Sequence, residues 1–152
     1  MKELIKTFYT SLNDHNVDLM MSCYHDEIIF EDPIFGKLQP DKAKKVWYWL
    51  CENGKDLTAK FSDIQIEDQK GSAYWEARYT FGDRKRPVLN RVNSYFEFKD
   101  GKIIKHVDHF SLKQWASQAM GWKGKVLGGT SYFRKKIQHR SNRLLDKFHI
   151  DS

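Results

Sequence analysis

The sequence predicts an α+β fold, with N-terminal helices packed on a strongly curved antiparallel sheet and a C-terminal helical extension, and two observations carry that prediction. Up to about residue 53 the apolar residues recur at spacings of three and four, whereas from residue 57 to 112 the period falls to two. Helices first and sequential strands second is the α+β order, in which the helices cover one face of the sheet.

Leu4, Ile5, Phe8, Tyr9 and Leu12 make one helical stripe. Asn13-Asp14-His15-Asn16 breaks it and supplies a cap, and Val17, Leu19, Met20, Cys23 and Tyr24 predict a second short helix ending near His25-Asp26. Ile28-Ile29-Phe30-Glu31-Asp32 is a β-prone run stopped by Pro33, which predicts an edge strand with Asp32 at its mouth. Pro40-Asp41 opens a third helix whose stripe is Ala43, Val46, Trp47 and Leu50, ending at Asn53-Gly54. Residues 57–67, 72–81, 89–99 and 102–112 then read as four strands of an antiparallel meander, separated by Gln69-Lys70-Gly71, Gly82-Asp83 and Asp100-Gly101. Residues 114–121 form a short helix ended by glycine. Residues 123–129 read as a glycine-bearing linker. Phe133, Ile137, Leu144 and Phe148 lie at spacings compatible with one face of a last helix.

Composition bounds the function. A chain of 152 residues is one domain by size, and an aromatic share of 14% needs a core to pack or a pocket to line. The opening Met1-Lys2-Glu3-Leu4-Ile5-Lys6 has no secretory pattern, and no run of 18 apolar residues occurs, so a cytoplasmic protein without a membrane partner is expected. Cys23 and Cys51 make no metal or redox motif and are expected to pack within helices. The net charge of +6 is uneven: residues 122–152 hold eight Lys or Arg against two Asp, so the excess lies entirely in that stretch. We therefore divide the chain into a domain over 1–121 and a basic extension over 122–152, helical and docked on the domain. A tail of this kind could track phosphates or an acidic membrane, but a docking helix with solvated charges is favoured, and nucleic acid is not expected as a partner.

The segment Tyr24-His25-Asp26-Glu27-Ile28-Ile29-Phe30-Glu31-Asp32-Pro33 resembles the helix-to-strand segment that ends in the general-base aspartate of ketosteroid isomerase. Phe96-Glu97-Phe98-Lys99-Asp100-Gly101-Lys102-Ile103 resembles the turn between the last two strands of the same superfamily, called nuclear transport factor 2-like or SnoaL-like. The resemblance covers about residues 3–112. It implies a cone-shaped half-barrel closed by helices, a small hydrophobic molecule as ligand, no cofactor, and a homodimer formed through the outer sheet face. It puts Asp32 in the base position, Phe8 where ketosteroid isomerase has its oxyanion-hole tyrosine, and Asn93 where it has a protonated aspartic acid. That division of acid and base roles is a worked case in general enzymology. A comparison with limonene epoxide hydrolase puts Asp108 at one of its two acidic positions, while Tyr74-Trp75-Glu76-Ala77-Arg78 does not reproduce its other acid and arginine.

Strand alternation puts His106, Asp108 and Phe110 on one face of the last strand, and Arg91, Asn93 and Tyr95 on one face of the strand before it. If the aligned positions point inward, Asp32, Arg91, Asn93, His106 and Asp108 converge in a cavity walled by Trp47, Trp75, Phe110 and Phe8. The expected catalytic set is Asp32, Asn93, Asp108 and His106, with Trp47, Trp75, Arg91, Phe110 and Phe8 holding the ligand. The competing reading makes Asp32 a turn cap before Pro33, and Arg91 with Asp108 a buried ion pair. No metal is expected, because alternation separates His109 from His106 and Asp108. The sequence contains no phosphate loop, GxSxG or HExxH motif. These residues imply a cofactor-independent isomerase, lyase or hydrolase, or else a binding domain that uses the same pocket without chemistry.

Overall fold

Helix α1 (Lys2–Asn13) turns Ile5, Phe8, Tyr9 and Leu12 into the core. Asn16 then caps α2 (Val17–Ser22) by accepting the Leu19 N–H. The computed structural model describes residues 1–150, so Asp151 and Ser152, the end of the extension, lie outside the described residues. The helix α3 (Pro40–Asn53) begins with proline in its first turn and buries Ala43, Val46, Trp47 and Cys51. Both cysteines are buried free thiols.

Six strands follow the period-two pattern: β1 (Tyr24–Asp32), β2 (Gly36–Leu38), β3 (Thr58–Glu67), β4 (Lys70–Phe81), β5 (Arg86–Lys99) and β6 (Lys102–His109). They form one sheet in the order β2-β1-β6-β5-β4-β3. The antiparallel meander runs from β3 to β6, and β1 joins it in parallel, with Phe30 opposite His106. The helices cover one face, as an α+β fold requires.

Two expectations about this region are corrected. The second helix ends at Ser22 and the strand has begun by Tyr24, because Tyr24, Ile28 and Phe30 have inner-face positions to fill. Nor is β1 an edge strand. Pro33 ends its ladder as expected, but the turn it opens returns Gly36–Leu38 as β2, which takes the edge.

Against the Arg86–Leu89 end of β5, α4 (Leu112–Met120) is capped by Ser111, and Thr130 caps α6 (Ser131–Lys147). Between them the expected linker is a helix, α5 (Trp122–Leu127). Its glycines allow close approach rather than flexibility: a Cβ placed on Gly124 would lie 1.9 Å from the Ala116 carbonyl oxygen of α4. Gly124→Ala is therefore expected to force the two helices apart at a cost of about 1–3 kcal/mol, read as a lower urea midpoint.

Helix α6 lies against α3 and the β1–β2 turn. Leu145 is fully buried in the main core, and Ile137 joins a second cluster with Val88, Leu112, Trp115, Ala116 and Ala119. Its basic residues Arg134, Lys135, Lys136, Arg140, Arg143 and Lys147 stay exposed. No helix among the described residues is long and apolar enough to cross a membrane.

Candidate functional site

The burial of β5 alternates so that Val92, Ser94, Phe96 and Phe98 face inward. On β6 the inward residues near the site are His106 and Asp108. This parity sends Arg91 and Asn93 to the outer surface, where the Arg91 Nε lies 3.9 Å from Glu76. Neither belongs to the interior, and Arg91 does not pair with Asp108. Ser94, one residue along from Asn93, occupies the inner position instead.

The interior holds a directed chain of hydrogen bonds. The Trp47 Nε1–H can only donate, and it does so to the Tyr24 hydroxyl at 2.9 Å. The Asp108 carboxylate can only accept, so His106 Nε2 carries the proton facing it, and Nδ1 is left to accept from the Tyr24 hydroxyl 2.8 Å away. The Nε2–H points at Asp108 Oδ1 across 2.9 Å. From the other side Tyr9 donates to Ser94 Oγ at 2.7 Å, and Ser94 donates to the same Asp108 oxygen. Every proton therefore runs toward one carboxylate.

Aromatic rings seal this chain. His106 has no solvent exposure; it stacks on Phe96 at 4.6 Å and on Trp47 at 6.0 Å, with Phe8 and Phe30 meeting it edge-on. Burial and the Asp108 charge raise the Tyr9 and Tyr24 hydroxyls well above the ordinary phenol range, so both stay protonated and act only as neutral bonding groups. Trp75, also buried, packs against Tyr9, and its Nε1–H is the one buried side-chain polar atom without a partner among the described residues.

Asp32 stands at the end of β1, where Pro33 stops the ladder. Its Oδ1 accepts the backbone N–H groups of Ile34 at 2.9 Å and Phe35 at 2.7 Å. Its other oxygen has no protein partner among the described residues and is not sealed from solvent. Loss of water is the largest influence on this carboxyl; the Phe35 N–H opposes it and the Asp108 charge reinforces it, and the net result is a pKa raised from 3.8 to about 7.

The Ile34–Phe35 turn that holds Asp32 is also one wall of a cavity of about 320 Å³, a size at the low end of small-molecule sites. Trp49, Leu50, Tyr79, Phe81, Trp115 and Ile137 supply other walls. Trp115 donates to the Tyr79 hydroxyl at 2.7 Å, leaving the tyrosine's own proton free. Burial, with a smaller contribution from the Asp32 charge, pushes that phenol up to about 12. Helix α6 fastens the turn from outside: Asn142 Nδ2 donates to the Phe35 carbonyl at 2.8 Å and Gln138 Nε2 to that of Pro33 at 3.3 Å. Asn142→Ala should cost about 1 kcal/mol, a loss of roughly 2–4 °C in melting temperature by calorimetry.

His106 and Asp108 are packed in the interior with Phe8, Trp47 and Trp75, Asp32 lies at the end of the same face, and partly buried Phe110 touches both apolar clusters, but contrary to expectation none of these residues lines the cavity. The interior leaves out Arg91 and Asn93. Sequence reasoning did not select Tyr24, Ser94 or Tyr79 as site residues. The apolar parity Val92-x-x-x-Phe96-x-Phe98 was the available signal for Ser94.

Among curated protein sequences none matches this chain. Solved structures of similar fold include TerC co-crystallised with polyporic acid: 15% identity, TM-score 0.62, over 71% of this chain and 88% of that one. A protein of Catenulispora acidiphila described as having a ketosteroid isomerase-like fold, in complex with trimethylamine, gives 9% identity and a TM-score of 0.67 over 77% and 92%. An epoxide hydrolase of M. tuberculosis described as LEH-like gives 16% identity and a TM-score of 0.62 over 83% and 89%. These likenesses show the fold. A family model described as SnoaL-like domain matches residues 5–106, about two thirds of the chain, ending at the interior histidine. By that match and by its cone of helices on a curved sheet, the chain belongs to the SnoaL-like family, within the nuclear transport factor 2-like fold.

Proposed function

We propose that the chain is a cofactor-independent enzyme that removes a proton from a small hydrophobic molecule, with Asp32 as the general base. One observation carries this: a carboxyl with a free oxygen and a pKa raised to about 7 caps the turn whose Ile34 and Phe35 line an apolar cavity. A base of that strength is largely ionised just above neutrality yet binds a proton firmly enough to take it from a weak acid. The Tyr79 hydroxyl, protonated and with its hydrogen free, supplies the donor for charge developing on the substrate oxygen. Asp108 acts through Asp32 by raising its proton affinity, and His106 and Ser94 hold Asp108 in place. The family membership and the structural neighbours, one described as an epoxide hydrolase and one co-crystallised with polyporic acid, support chemistry or binding of small organic molecules.

A second reading has its own support. Two backbone N–H groups on Asp32 Oδ1 account for the residue as a turn cap, and the cavity would then bind a ligand without changing it. Incubation in D₂O with a panel of cyclic ketones and aryl β-keto esters separates the two. Catalysed deuterium uptake at the acidic C–H, seen by mass spectrometry and rising through about pH 7, supports the base. Saturable binding with uptake no faster than in buffer supports the second reading and removes the first.

A further inference from the structure

We propose that the molecule taken into the mouth cavity is a hydrophobic acid whose carboxylate is held at the rim by Arg140 and Ser141 of α6. This rests on the reading of that cavity as the substrate site, and it names what the substrate must carry.

Ile137, Arg140, Ser141 and Leu144 line the cavity from α6 at spacings of three and four, so they form a single helical stripe. A helix that only roofed an apolar cavity would place apolar residues at all such positions, yet the middle two are polar. Arg140 is the one charged side chain in the lining, and no carboxylate lies within ion-pair distance of it among the described residues. Ser141 is 6% exposed, and its hydroxyl makes no hydrogen bond among the described residues. A hydroxyl in that position ordinarily bonds back to the preceding turn or to a ligand.

A guanidinium and an adjacent hydroxyl suit a carboxylate, which accepts two parallel N–H bonds from the fork and has lone pairs left for an O–H. Arg140 is exposed, so the attraction is moderated by water and amounts to about tenfold in affinity. With the acid head there, the apolar body lies against Trp49, Phe81 and Trp115. Arg140 and Ser141 lie beyond the region that defines the family, so the acid preference is a property of this chain's extension.

The test titrates 2-naphthylacetate and its methyl ester against the full chain, following tryptophan fluorescence. The wild type is expected to bind the acid about tenfold more tightly than the ester. Arg140→Gln should bring the two to equal affinity with the ester unaffected, and Ser141→Ala should narrow the gap. Arg143→Gln, which removes the same charge from an exposed position outside the lining, should keep it. Equal binding of acid and ester by the wild type, a preference that survives Arg140→Gln, one lost equally in Arg143→Gln, or no binding of either probe would each overturn the proposal. The two readings fail separately: loss of deuterium exchange with the acid preference intact removes the base alone, and exchange without acid preference removes Arg140 alone.

Discussion

Asp32→Asn is expected to yield a protein that is more stable than the wild type at pH 8 and that has lost about 10²–10⁴ of its proton-transfer rate. The opposite signs have one cause. The folded carboxyl binds its proton up to about pH 7, whereas the unfolded one releases it near 3.8, so between those values the folded state holds the extra proton. Stability must then fall as pH rises through that window, and level off above it. Asparagine keeps an oxygen for the Ile34 and Phe35 N–H groups while removing the charge that the site opposes. After allowance for the solvent contact that Asp32 retains, the gain at pH 8 is about 2 kcal/mol. Calorimetry at pH 5 and pH 8 checks it: the wild type should lose stability between the two, and the variant should not. A variant that is less stable at pH 8, with the same pH dependence as the wild type, would show Asp32 to be an ordinary turn cap.

Asp108→Ala is expected to be among the most damaging single changes to the fold, at about 3–5 kcal/mol in urea denaturation. It removes the common acceptor of His106 Nε2 and Ser94 Oγ where no water replaces it, and leaves a cavity inside an aromatic shell. Asp108→Asn preserves volume and separates stability from electrostatics. With the neighbouring negative charge gone, the Asp32 pKa falls, and the rising limb of the deuterium-exchange profile should move to lower pH. An unmoved limb in a folded Asp108→Asn protein would show that the two carboxyls do not sense one another.

The helices, the meander and Asp32 could be read from the chain because local physics determines them: spacing, proline position and strand period need no knowledge of partners. Asn93 was misplaced by matching positions to a distant relative, and Arg91 with it, because the two share a strand face. The strand β5 alternates without a break from Val92 to Phe98, and the extra residue of its pairing with β6, Ile104, lies on β6, so the slip is in the match itself, where an offset of one residue moves a side chain to the other face. The alternation of Val92, Ser94, Phe96 and Phe98 was the better guide. The helix at 122–127 was read as a linker because glycine is a poor helix former, and only the nearness of Ala116 explains why one is needed there. Tyr24 lay within the resemblance, but its partner His106 is distant in sequence, and no local pattern joins a hydroxyl to an imidazole across the sheet.

The parallel pairing of β1 with β6 bears on how the molecule comes into being. Phe30 and His106 lie far apart in the chain, so this pairing is non-local, and pairings of that kind slow folding. A growing chain on the ribosome that has not yet released Lys102–His109 carries β1 without its neighbour, an open strand edge beside apolar side chains. Chains truncated before that strand should therefore aggregate rather than accumulate as half-built domains.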